Sequence, residues 1–137
     1  MKQKLMIILS FMLLTTSVFA TEKAPTLKSV MQGLADSMDI LNKGIFYEDF
    51  KKIELGAKGI AVHPKPKSQL PTIIKTLNIR MLQFKGTDDK VHNAASSIRK
   101  LAKKKDMKGI LKQHEIIMNN CVSCHTQFRD EIIEALK

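Results

Sequence analysis

Residues 106–137 read DMKGILKQHEIIMNNCVSCHTQFRDEIIEALK, and this run decides both the architecture and the chemistry of the chain. Asp106 is a residue type that caps helix starts, and Ile110, Leu111, Ile117, Met118, Phe128, Ile132 and Leu136 recur behind it at helical spacing. Within that helix lies Cys121-Val-Ser-Cys-His125. C-x-x-C-H is the attachment sequence for c-type haem, in which both thiols add to the haem vinyl groups and the adjacent imidazole ligates the iron. On a helix Cys121, Cys124 and His125 project toward one side, which Phe128 and Ile132 continue. These are the chain's 2 cysteines, so no thiol is left over for another role. A redox dithiol belongs at a helix N-terminus in a βαβ pattern, and a structural zinc site needs two more ligands at finger-like spacing; the sequence offers neither context.

Working outward, the rest of the chain also reads as helix. Leu27, Val30, Met31, Leu34, Met38 and Leu41 form a stripe that opens after Pro25 and closes at Gly44. Phe50, Ile53, Ala57, Ile60 and Ala61 form a second, stopped by His63-Pro64. Pro71 opens a third stretch, in which Ile73, Ile74, Leu77, Met81 and Phe84 give one stripe and Val91, Ala95, Ile98 and Ala102 another. Thr87 is a cap for a fresh helix there, or one long helix runs through Gly86; the pattern supports both. No segment alternates with period two. The expected fold is all-α, an antiparallel up-down-up-down four-helix bundle with covalently attached haem.

The first residues carry a basic start at Lys2 and Lys4, an apolar Leu5 to Leu14 and a small-residue site at Val18-Phe19-Ala20. Residues 1–20 read as a cleaved signal peptide and residues 21–137 as one domain. The apolar run is short for a membrane span. Export places the chain in the periplasm, where haem attachment takes place. The formal charge is +10, from 23 basic and 13 acidic residues. In an exported protein that charge points to an acidic redox protein as partner, with membrane contact at most transient and no nucleic acid. Lys100, Lys103, Lys104, Lys105, Lys108 and Lys112, with Lys65 and Lys67, are the candidate docking charges. The sequence shows no nucleophile–base pair, paired carboxylates or phosphate-binding loop, so no enzyme activity is expected.

Cys121-Val-Ser-Cys-His125 followed by Phe128-Arg129, near the end of an exported chain of helices, resembles the cytochrome c′ family over residues 24–137. The resemblance implies that a first-helix side chain faces the open side of the iron, just after a stretch that here reads Leu27-Lys28-Ser29-Val30; the matching position is Met31. A methionine there implies a six-coordinate, low-spin haem that carries electrons. A leucine there accompanies five-coordinate members that bind nitric oxide or carbon monoxide, which is the alternative reading. Periodicity alone does not set Met31 apart from Met38, Met81, Met107 and Met118, since methionine also fills core gaps. A thioether is nonetheless a soft ligand suited to iron opposite histidine.

The expected site is therefore one haem c held by Cys121 and Cys124, with His125 and Met31 as axial ligands and Phe128 and Arg129 beside it. Arg129, one turn after His125, is a candidate to tune the iron's potential. Gly33 would let the macrocycle approach the helix. Leu27 stands where family members commonly carry a basic residue. His92 and His114 are weaker candidates as iron ligands, and His63 as a propionate or surface metal contact. Homodimers are common in the family; Phe46, Tyr47 and Phe50 are candidates for such a contact or for the core.

Overall fold

Thr26 begins the first helix with a reciprocal cap. Its hydroxyl accepts from the Ser29 backbone N–H at 3.2 Å, and the Thr26 N–H donates to the Ser29 hydroxyl at 3.0 Å. The computed structural model describes residues 24–137, so the leader reading for residues 1–20 lies outside the described residues. Helix α1 spans Leu27–Phe46, α2 Phe50–Ala61, α3 Leu70–Leu77, α4 Met81–Lys103 and α5 Met107–Ala135. A 3-10 turn, Asn78–Arg80, joins α3 to α4, so the described chain is four helical runs separated by three connections. Among the described residues every regular element is helical.

The caps follow the sequence. Asp49 caps α2 by accepting from the Lys51 and Lys52 backbone N–H groups at 3.1 Å each. The Lys52 N–H in particular holds the Asp49 carboxyl below its ordinary value. Asp106 caps α5, accepting from Gly109 N–H at 2.9 Å. In the third run the break falls at neither Gly86 nor Thr87. Helix α4 passes through both, and the Thr87 hydroxyl bonds back to the Gln83 carbonyl at 3.0 Å. The chain bends instead at Asn78, whose φ of 47° ends α3. Asparagine tolerates that region better than most residues, which is why no glycine or proline marks the bend in the sequence.

Gly44 does not close α1. The helix runs on to Phe46, and Gly44 is buried where α1 crosses α2. A Cβ there would lie 2.6 Å from the Ile53 backbone nitrogen, and one at Gly56 would lie 2.5 Å from the Leu41 nitrogen. The two glycines therefore bring the helices into backbone contact. From this crossing one core extends across α1, α2, α4 and α5, built on Leu41, Ile53, Ala57, Ile60, Ala95, Ile98, Ile110 and Ile117. A second cluster, Ile73, Leu77, Phe128 and Ile132, joins α3 to the end of α5. Close packing pairs α1 with α2, α2 with α4, α4 with α5 and α3 with α5; no comparable packing joins α1 to α5. A hydrogen bond at 2.7 Å between His114 and Asn42 does cross that gap. Of the three aromatics between α1 and α2, Phe46 and Tyr47 are exposed and Phe50 packs against the first core. No helix of the described residues is long and apolar enough to cross a membrane.

Candidate functional site

Where α1 and α5 stand apart, the structure holds a cavity of about 810 Å³. That is within the roughly 300–1,000 Å³ of cofactor and ligand pockets. One wall is α1. Lys28, Met31, Gln32 and Ala35, spaced i, i+3, i+4 and i+7, put one helical face on the cavity. The opposite wall is α5, with Cys124, His125, Phe128, Arg129, Ile132, Ile133 and Leu136. Phe84 of α4, Gln69 of the α2–α3 connection, and Thr26, Leu27 and Lys137 also line it. Gln69 also fixes the first wall, since its side-chain oxygen accepts the Leu27 backbone N–H at 2.6 Å. The cap at Thr26 and this bond together set the start of α1, and so the height at which Met31 meets the cavity.

Five of the six site residues named from sequence thus line one cavity, although Met31 is far from the others in the chain. Cys121 is the exception. It is half-buried one turn before Cys124 and packs against the first core rather than in the lining. Phe128 is 2% exposed and forms the floor, edge-on to Phe84 with ring centroids 5.6 Å apart. The Arg80 guanidinium lies over the same ring, 6.0 Å from its centroid, and is ion-paired with Glu131. Arg129 is exposed and reaches Asp130 at 3.3 Å. His125 is exposed where it lines the cavity.

Two expectations about neighbouring residues change. Gly33 does not face the cavity, and a Cβ there would meet nothing within 4 Å. It is on the solvent side of α1, so it relieves no close approach. The other candidate ligands also lie elsewhere. Met38 packs against the first core, His114 bonds to Asn42, and His92 bonds to the Ala61 carbonyl at 2.9 Å. None of them lines the cavity. Sequence reading missed Gln69, Phe84, Gln32 and Ala35. Phe84 sits in a recognised stripe, but nothing in the pattern says that the stripe borders a cavity. Gln69 carries no local signal, because its role depends on a contact with a residue 42 positions away.

The chemistry of the lining is selective. It is largely apolar, and its charged side chains are the cations Lys28, Arg129 and Lys137, of which Arg129 pairs with Asp130 and Lys137 with Glu134 beside the lining. Such a site suits a large apolar molecule carrying negative charge at its edge. The thiols do not suit dithiol exchange. Cys121 and Cys124 sit about four turns inside α5, away from the positive end of the helix dipole that activates such pairs. Burial pushes the Cys121 thiol up, and burial with the Asp88 and Cys121 charges pushes Cys124 up to about 11. Among the described residues the cluster able to hold a metal ion is His63, Asp88 and His92, which includes neither cysteine. No family model, curated protein or solved structure matches the chain.

Proposed function

We propose that this chain is a periplasmic monohaem c-type cytochrome that carries single electrons between redox partners and is not an enzyme. In this reading the helices form an antiparallel up-down-up-down bundle around one covalent haem c. The observation that carries it is that Met31 of α1 and Cys124 and His125 of α5 line the same cavity. A soft thioether and an imidazole facing a shared apolar space are a donor pair for low-spin haem iron, and the flanking thiols are the groups that anchor haem c. When bound, the haem supplies reversible one-electron exchange at iron.

The chain's own residues then have defined work. Cys124 and Cys121, one turn apart on α5, hold the group covalently, and their partly buried setting keeps them as neutral thiols until they react. His125 of α5 and Met31 of α1 would be the residues that ligate the iron. The capping box at Thr26 and the Gln69 bond fix the start of α1 and so would hold Met31 in position toward the group. Phe128, Ile132 and Leu136 exclude water from the apolar face. Lys28, Arg129 and Lys137 offer charge to the propionates and favour the more negative overall state. An acidic redox protein would dock on the exposed lysines at the α4–α5 junction, so exchange should slow as salt rises.

Optical spectra of the chain made with the haem-attachment machinery test this directly. A low-spin spectrum with a far-red methionine–iron band, unchanged by carbon monoxide after reduction, is expected. High-spin bands that shift at once with carbon monoxide would remove Met31 as a ligand and favour the gas-binding alternative.

A further inference from the structure

Away from the cavity, His63 in the α2–α3 connection and His92 on α4 meet with their Nε2 atoms 3.0 Å apart. The other nitrogen of each ring is already committed. Nδ1 of His63 is 2.9 Å from the Pro64 carbonyl, and Nδ1 of His92 is 2.9 Å from the Ala61 carbonyl. A carbonyl only accepts, so each Nδ1 carries the hydrogen, and each neutral ring turns a lone pair toward the other at Nε2. Two facing lone pairs at that distance repel unless a positive centre lies between them. Asp88, one turn before His92, adds a carboxylate oxygen 3.6 Å from the His92 Nε2. The three ligand atoms all lie within 4.8 Å of one another.

We propose that His63, Asp88 and His92 bind a divalent transition-metal ion of the zinc and copper type, which clamps the α2–α3 connection onto α4. Two imidazoles and one carboxylate are the donors such ions take, whereas calcium and magnesium prefer oxygen alone. With bonds of about 2.05 Å, nitrogens 3.0 Å apart subtend roughly 95° at a metal, and the 3.6 Å oxygen–nitrogen pair roughly 120°. These two angles bracket a tetrahedron; two such bonds span at most about 4.1 Å against the 4.8 Å that bounds the set, so the Asp88 carboxyl must rotate toward His63 for all three groups to bind one ion. The backbone carbonyls at both Nδ1–H groups are the outer contacts that orient metal-binding histidines. Side-chain exposures of 28% for His92 and 47% for Asp88 leave an entry path and a fourth position for water. None of the three residues lines the cavity, so this site stands whether or not haem is bound there.

The test is a zinc titration of the full chain, carried out with haem attached or with both thiols alkylated so that the C-x-x-C-H segment cannot capture the ion. One zinc per chain is expected. His63→Gln and His92→Gln should each weaken binding by at least about tenfold, Asp88→Asn less, and His114→Gln not at all. Copper(II) in place of zinc should give an electron paramagnetic resonance signal coupled to two imidazole nitrogens, reduced to one in His63→Gln. His63 lies in a connection outside the helices, so that variant carries the test even if His92→Gln folds poorly. Failure to bind zinc below about 1 mM, or affinity in either histidine variant unchanged from that of the unaltered chain, would overturn the proposal.

Discussion

The two ends of this molecule are packed on opposite plans. Around the α1–α2 crossing, Gly44, Gly56, Ala57, Ala95 and Ala102 let helix backbones close on one another, with Leu41, Ile53, Ile98 and Ile117 filling what is left. At the other end the residues are large, with Met31, Phe84, Phe128, Ile132 and Leu136 around a cavity of about 810 Å³. Small residues make a core that admits nothing else, because dense packing leaves no room for even a methyl group without displacement. Large apolar residues that fail to meet across a gap expose greasy surface, which is unfavourable until something apolar fills it. The closed end therefore holds the fold, and the open end leaves the cavity that in the proposed function holds the haem.

The sharpest way to break this division is to remove both thiols. In the proposed function, Cys121→Ala with Cys124→Ala abolishes covalent haem outright, read as loss of the haem stain on a denaturing gel. The closed core draws on α1, α2 and α4 as well as the first half of α5, so the variant should keep most of its helical circular dichroism. Collapse of helicity along with the haem would show that the two ends are not separable in this way.

A second pair of variants probes the closed end and the solvent side of the same helix pair. Gly56→Ala places a Cβ 2.5 Å from the Leu41 backbone nitrogen, where no side-chain rotation relieves it. It should cost about 1–3 kcal/mol in urea denaturation. Gly33→Ala meets nothing within 4 Å and removes a flexible residue from a helix interior, so it should stabilise by up to about 1 kcal/mol. Equal effects of the same sign would mean that the crossing is looser than its geometry implies.

Helical spacing, the Asp106 cap and the start of the third run near Pro71 were legible because each is a local signal. Gly44 was legible as a glycine but not as a contact: a helix-ending glycine and a helix-crossing glycine look alike until the partner helix is present. The same limit applies at the cavity. Met31 falls in a stripe with Val30, Leu34 and Leu41, yet Val30 and Leu41 are buried in the protein and Met31 lies on the adjoining face with Lys28 and Ala35. Helical period locates a face to within a residue or so, and that residue is the difference between core and cavity. The bend at Asn78 and the Gln69–Leu27 bond depend on tertiary contacts, and no spacing records them.

The smallest effect concerns the polar link that ties α5 to α1 between the two ends. Nε2 of His114 is 2.7 Å from the Asn42 side-chain oxygen, which can only accept, so Nε2 carries the hydrogen in the neutral ring. Protonating the other nitrogen places a cation in a half-buried position, and burial accordingly lowers the His114 pKa from its ordinary value of 6.5. Below that ordinary value the unfolded chain takes up a proton that the folded chain resists, so the unfolded state binds more protons. The stability this group contributes is therefore fully present above about pH 6.5 and declines as pH falls toward the lowered folded-state value. His114→Gln keeps a donor for Asn42 and cannot titrate. Its urea midpoint should change less than that of the unaltered chain between pH 7 and pH 5. Parallel curves over that range would mean that the ring has the same proton affinity folded and unfolded, and that solvent reaches His114 in the gap between α1 and α5.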